Sequence, residues 1–486
     1  MNYMMVRRIL GYVAAVMGIS VLLPLLVALF SGETREAVAF LITMAFCGAV
    51  TFLLMLGKPK KKDFYARESF VIVSFSWIMM SLLGALPYFI SGAIPSFLNC
   101  LYESVSGFTT TGSSILAEIE SLPSSILIWR SFSHWIGGMG VLIFLLSIVS
   151  MAGGNSVYLL RTESAAAENS RLVPRIKQTA KTLYIIYVSL TVLLVGLLLL
   201  GGMNLFESVN HAMSIAGTGG FSVKDASISA YSSPYIHWII AVFMILFSVN
   251  FNFYHLLLLK KFKAALKQEE VIVFLCILTG GFLLVALNIH GAISYNLSDT
   301  ARIAAFQVAS VASSTGLYSV DYGAWSQFNI IIFTVLMFIG GCSNSTAGGT
   351  RVMRTIILSK SLRRETRKLL HPKIVEQMQV NGKPAEENLI KGVYLFFAAY
   401  FALFIVSLLL VSLENYDFQT TFSAVISSLS NIGPGFSLAG PAGNYDFFSP
   451  LSKTVLMLDM IAGRLGIFPL LMIFIPSVWR RRKNSR

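Results

Sequence analysis

The sequence predicts an all-α polytopic membrane protein of ten membrane spans plus four re-entrant pore helices. It reads as four pseudo-symmetric helix, pore helix, helix units around one pore, preceded by an N-terminal two-helix hairpin. Three observations predict this. Hydrophobic residues make up 55% of the 486 and charged ones only 12%, at a mean hydropathy of +0.72, which is far more apolar surface than a water-soluble core can hide. Of the 37 Lys and Arg, 31 fall on every second segment between apolar runs. Four times, a run of small and hydroxyl residues reaches a glycine: TTTGSS at 109–114, GTGGFS at 217–222, SSTGLY at 313–318 and SNIGPG at 430–435.

A helix needs roughly 20 apolar residues to cross the hydrocarbon. Candidate spans lie near 9–30, 37–56, 70–90, 126–150, 183–203, 235–259, 271–293, 327–342, 392–413 and 454–479. An even number puts both termini on one side. Arg7 and Arg8, the 58–67 run, the 161–181 segment, the 260–267 lysines, the 351–391 segment and the tail from Arg480 all fall on that side. The positive-inside rule makes it the cytoplasm, and topology then accounts for the formal net charge of +14. Nucleic acid is not implied, because the basic residues flank spans and form no stripe with interleaved aromatics. Cys47, Cys100, Cys276 and Cys342 show no CxxC spacing and read as small buried hydrophobes. The first apolar run is long and lacks a small-residue cleavage pattern, so no cleavable signal peptide is expected.

The hairpin occupies 1–68 and holds no glycine turn of the repeated kind. The four units follow at 69–165, 166–268, 269–375 and 376–486, the last with a basic tail. In the first, the apolar run 70–90 ends near Pro87, and FLNCLYESVSGF (97–108) is too short to span. It suits a half-helix that enters the membrane and hands the chain to the glycine turn, a form tolerated where protein or water satisfies the freed backbone. NLFESVNHAMSIAG (204–217), ARIAAFQVASVAS (301–313) and FQTTFSAVISSLS (418–430) repeat the plan. Each directs the partial negative charge of a helix C-terminus toward the same place.

Matching Gly112, Gly220, Gly316 and Gly433 gives spacings of 108, 96 and 117 residues. Glycine alone adopts at little cost the dihedrals that turn a carbonyl toward an axis, and carbonyls so turned can replace the hydration shell of a cation. The expected lining is Thr110, Thr111 and Gly112, Thr218, Gly219 and Gly220, Ser314, Thr315 and Gly316, and Asn431, Ile432 and Gly433.

The segment Gly340, Gly341, Cys342, Ser343, Asn344, Ser345, Thr346, Ala347, Gly348, Gly349 is made of weak helix formers and is expected to break the second helix of the third unit at membrane depth. The alternative is a glycine-rich helix-packing face. Arg464 sits mid-span, where a charge needs a cavity or a partner such as Asp459. Glu103 and Glu207 lie in two short helices and either attract cations at the outer mouth or bond a neighbouring loop or cap. No histidine has metal spacing, and His134 beside Trp135 and His237 beside Trp238 fit aromatic interface positions.

The chain resembles the Trk/Ktr/HKT superfamily of potassium transporters, bacterial Trk-type members above all. The residues that carry the resemblance are HWIGGMGVLIF (134–144), the four glycine runs, GGCSNSTAGGTRVMR (340–354) and GRLGIFPLL (463–471). The resemblance implies potassium, with rubidium or sodium as lesser passengers, since plant members with a serine at the first filter position favour sodium and here all four positions are glycine. It makes 340–350 a gate beneath the filter and sets Arg464 in the permeation path; Asn344, and Thr350 followed by Arg351, depart from the family pattern. It also implies a homodimer in the bacterial cytoplasmic membrane and docking of a cytosolic nucleotide-binding regulatory subunit on the loops at 151–182 and 351–391. Those loops also suit anionic lipid. No GxGxxG leads a soluble βαβ unit, so no cofactor is expected on this chain. An ion-coupled symporter or a less selective potassium and sodium pathway remains open. A membrane enzyme would need an acidic or histidine cluster at one face, and no DxxD, HExxH or nucleophile elbow occurs. A secondary transporter with inverted repeats would not place four units in one direction.

Overall fold

The computed structural model describes residues 2–57, 66–139, 173–292, 296–323, 325–373 and 377–479. The end of the expected 126–150 span, the basic segments at 58–65 and 151–172 and the tail from Arg480 lie outside the described residues. At the N-terminus α1 (Tyr3–Ser20) and α2 (Leu22–Phe30) run as one apolar stretch, with Pro24 in the first turn of α2, where its missing N–H costs nothing. They pack on α3 (Thr34–Met55). A long, short, long succession then recurs along the chain.

Its first round is α4 (Ala66–Ser91), α5 (Phe97–Phe108) and α6 (Ser124–Met139). The second is α7 (Val173–Leu200), α8 (Leu205–Ala216), α9 (Pro234–Ser248) and α10 (Phe251–Leu258), with α11 (Phe262–Leu266) after it. The third is α12 (Glu269–Ala292), α13 (Leu297–Ala312), α14 (Gln327–Ile339) and α15 (Val352–Leu370). A two-stranded hairpin, β1 (Gln379–Val380) against β2 (Lys383–Pro384), turns through Asn381 and Gly382, both at positive φ as a two-residue hairpin turn requires. The fourth round is α16 (Glu387–Val411), α17 (Phe418–Leu429), α18 (Pro450–Leu465) and α19 (Ile467–Phe474), closed by α20 (Pro476–Trp479).

Among the described residues six helices are long and apolar enough to cross a membrane, and two bent pairs pass the same test together. This is a multi-pass membrane protein. Burial separates the two kinds of helix. In the windows of α7, α12 and α16 only 28% of residues are buried, so their outer faces are left to lipid. The short α5, α8, α13 and α17 are buried along their C-terminal halves. They form the centre.

Three second helices depart from straight spans. The 235–259 run bends by 89° between α9 and α10, where Asn250 accepts from the N–H of Asn252 and starts a new helix. The 454–479 run bends by 119° at Gly466, whose φ of +83° is left-handed. The third ends at Ile339. Conversely, α4 continues through Pro87 to Ser91, and the indole of Trp129 donates to the carbonyl of Gly84 in the turn that Pro87 loosens.

Candidate ion pathway and gate

Each short helix ends in the same turn. Its last helical residue is Phe108, Ala216, Ala312 or Leu429, and two residues later the backbone swings left-handed at Thr110, Thr218, Ser314 and Asn431, with φ of 54°, 54°, 56° and 53°. Such values are costly for β-branched threonine and are held by a repeated hydrogen bond. Thr111, Gly219, Thr315 and Ile432 each donate from the backbone to the carbonyl of Ser106, Ser214, Ser310 and Ser427 in turn, at 2.9, 2.9, 2.9 and 3.0 Å. Gly112, Gly220, Gly316 and Gly433 follow at φ of 83°, 83°, 76° and 101°.

The four glycines meet in a ring. A Cβ on Gly112 would overlap the carbonyl oxygen of Gly219, one on Gly220 that of Thr315, and one on Gly316 that of Ile432. A Cβ on Gly433 would lie 2.6 Å from the carbonyl oxygen of Thr111, which closes the cycle. The four glycine turns therefore meet in a closed cycle, in their order along the chain. Above them, all four glycines line a single open cavity with Lys224, Asp225 and Tyr445.

Sequence reasoning missed the serines of this collar, although their spacing matches that of the glycines. Ser427 donates to the carbonyl of Gly433 at 2.7 Å, and Ser310 to that of Leu317. It also missed Arg130. Glu103, one of the two acids singled out, is fully buried and bonded to Ser114, to the N–H of Ile115 and to Arg130 Nε at 2.8 Å. Arg130 also donates to the carbonyl of Ser222 and lies 4.1 Å over the Phe221 ring. The pair clamps the first turn to the second. Glu207 instead lies beside Lys224, 3.8 Å away, with both side chains partly buried. His134 and His237 are both buried.

The 340–349 segment is a loop. Gly340 and Gly349, at φ of 68° and 80°, lie against each other at its two ends. Its C-terminal part leans on the ends of two short helices: the N–H of Gly348 donates to Ser314 Oγ at 2.6 Å, and a Cβ on Gly348 would overlap the carbonyl oxygen of Ser430. Cys342 donates to the carbonyl of Ser248, and the carbonyl of Asn344 accepts from Phe251, so the loop fills the break in the second repeat. Buried Glu270, absent from the sequence-based candidates, accepts from the backbone of Ser343 (2.6 Å) and Met353 (3.2 Å) and from Asn250 (2.9 Å). Arg464 reaches the same loop, donating to the carbonyls of Thr346, Gly137 (2.9 Å) and Gly138 (3.3 Å). Asp459 is not its partner: one carboxylate oxygen takes the Ser407 hydroxyl at 2.7 Å and the other finds none among the described residues.

A family model described as TrkH, cation transport protein, matches residues 36–481. The chain belongs to the TrkH family. It is 33% identical to the Trk system potassium uptake protein TrkH of Escherichia coli K12 over 99% of this chain and all of that one. With the protein of the same name from Halomonas elongata it shares 30% over 99% of this chain and all of the relative. The crystal structure of the potassium transporter TrkH from Vibrio parahaemolyticus superimposes with a TM-score of 0.89 at 31% identity, covering 99% of this chain and all of that one. TrkH relatives are named as transporters, and theirs is not an enzymatic activity.

Proposed function

We propose that this protein takes up potassium across the bacterial cytoplasmic membrane through one pore, with Thr110–Gly112, Thr218–Gly220, Ser314–Gly316 and Asn431–Gly433 as its selectivity filter. The observation that carries the proposal is the closed cycle of glycine-to-carbonyl contacts, since four backbone turns facing one axis can present oxygens to a dehydrated monovalent cation. The potassium uptake named for the curated relatives agrees with it. Ten spans follow if the six long helices and two bent pairs are joined by α14 and by α6 with its continuation. The short helices, of 12, 12, 16 and 12 residues, are then re-entrant, being too short to cross. Both termini face the cytoplasm on the distribution of basic residues.

Gly340–Gly349 with Arg464 is the gate in this proposal. The loop leans on two of the four turns and is stapled by one buried arginine, so its withdrawal would clear the space below the filter. The cytoplasmic hairpin offers a handle: Lys360 on α15 binds Glu269 at 2.5 Å and the carbonyl of Gln379 at 2.8 Å, and Glu269 adjoins Glu270, which holds the loop. A cytosolic nucleotide-binding subunit acting on α15 and the hairpin, and a homodimer with one pore per protomer, complete the proposal. Reconstitution into vesicles with that subunit supplied, measuring potassium, rubidium and sodium flux, tests it. Selective potassium and rubidium flux that Gly112→Ser shifts toward sodium is the expected result, whereas unselective or absent flux overturns it.

A further inference from the structure

The collar around the ring is regular at three places and irregular at the fourth. At the residue before the first, third and fourth ring glycines the chain carries Thr111, Thr315 and Ile432, all fully buried, and the two threonines bond back to Thr109 and Ser313 of their own turns at 2.8 and 2.7 Å. The second turn has Gly219 there and supplies no wedge of its own. A Cβ at 219 would fall inside the imidazole of His134, against Nδ1, Cγ and Cε1. That ring is fully buried, stacks on Phe221 with centroids 4.0 Å apart and planes 16° apart, and meets Ser214 Oγ at 3.2 Å. His134 comes from α6, the second helix of the preceding repeat.

We propose that His134 is a positioning residue for selectivity, the missing fourth wedge delivered in trans. The inference rests on the potassium filter proposed above. The imidazole occupies the volume that a threonine or isoleucine fills elsewhere, and it holds the Gly219 carbonyl against Gly112. Its volume matters, and its proton does not. A filter discriminates between ions of similar charge by the spacing and stiffness of its carbonyls, so a void behind one turn lets that quarter relax around a smaller ion. The first turn is then coupled to the second through α6 by two side chains, Arg130 above and His134 behind.

The test uses the full chain in vesicles and in detergent, with His134→Ala, Gly219→Thr, His134→Ala/Gly219→Thr and His134→Phe. His134→Ala is expected to lower the rubidium-to-sodium flux ratio by about tenfold, the scale of a misfit in a packed core. Gly219→Thr alone is expected to melt at lower temperature than wild type and to lose flux. The double variant returns both melting temperature and flux ratio toward wild type, and His134→Phe keeps the ratio because a flat ring still fills the site against Phe221. If His134→Ala fails to fold, His134→Phe and the double variant decide. A selective wild type with an equally selective His134→Ala, a double variant no better than Gly219→Thr, or a His134→Phe as leaky as a void overturns the wedge alone. A wild type that passes sodium as fast as rubidium overturns potassium uptake itself.

Discussion

The turns that end the short helices and the helices that follow them obey opposite rules. All four turns share one backbone path: left-handed residues within a few degrees of one another, the same serine acceptor, the same glycine. The following helices share almost nothing. One bends by 89° at Val249 and Asn250, one gives way to a loop after Ile339, and one bends by 119° at Gly466. For four surfaces that meet one spherical ion, as proposed for this ring, equivalence is a geometric requirement. Below that plane it is not, and a movable obstruction needs only one of the four repeats to differ.

The strongest way to break this comparison is Gly220→Ala. The new methyl would enter the space of the Thr315 carbonyl oxygen at a left-handed backbone. About 1–3 kcal/mol of overpacking and ~1–2 of backbone strain together amount to roughly a hundredfold loss of flux. Retention of wild-type rubidium uptake would show that the ring is not the conducting element. Next comes the clamp between the first two turns. Glu103→Ala leaves Arg130 charged, buried and without its carboxylate, at a cost of about 3–5 kcal/mol. A melting curve of the purified variant within error of wild type would contradict that. The asymmetric region should respond in the opposite direction. Arg464→Ala removes the donor to the Thr346 carbonyl, a bond of about 1.5–3 kcal/mol to a charged group, and is expected to raise vesicle flux by at least tenfold as the loop loosens. Unchanged flux would remove Arg464 from the gate.

What the sequence revealed follows the same division. The four turns were legible because glycine at a fixed distance beyond a short apolar helix encodes both conformation and position, and the break at Gly340 was legible from its run of weak helix formers. The bends were not. Gly466 and Asn250 are single residues inside apolar runs, and a hydropathy window passes over them. Glu270 and the partners of Arg464 were illegible for a different reason: the bonds are mostly to main-chain carbonyls and N–H groups, which every residue carries and no pattern of side chains announces. The serines Ser106, Ser214, Ser310 and Ser427 needed only the repeat spacing already in hand.

The smallest expected effect separates two short helices that begin differently. The N-terminus of α8 is capped by neutral Asn204, which accepts from the N–H of Glu207 at 2.7 Å, and that of α17 by Asp417, which accepts from the N–H of Thr420 at 2.9 Å. Alanine at either position is expected to cost about 1 kcal/mol near neutral pH. Burial pushes the Asp417 carboxyl up, but hydrogen bonds from Thr420 and Ser437 outweigh it and hold the group below its ordinary range. A carboxyl depressed on folding contributes in full above its unfolded value and loses that contribution as pH falls through the folded one. The penalty of Asp417→Ala should therefore shrink below about pH 4, while that of Asn204→Ala persists. Melting temperatures of the two variants at pH 7 and pH 3, each against wild type, measure the difference; equal shrinkage of both penalties would mean that acid acts elsewhere in the protein and that the cap on α17 carries no charge of its own.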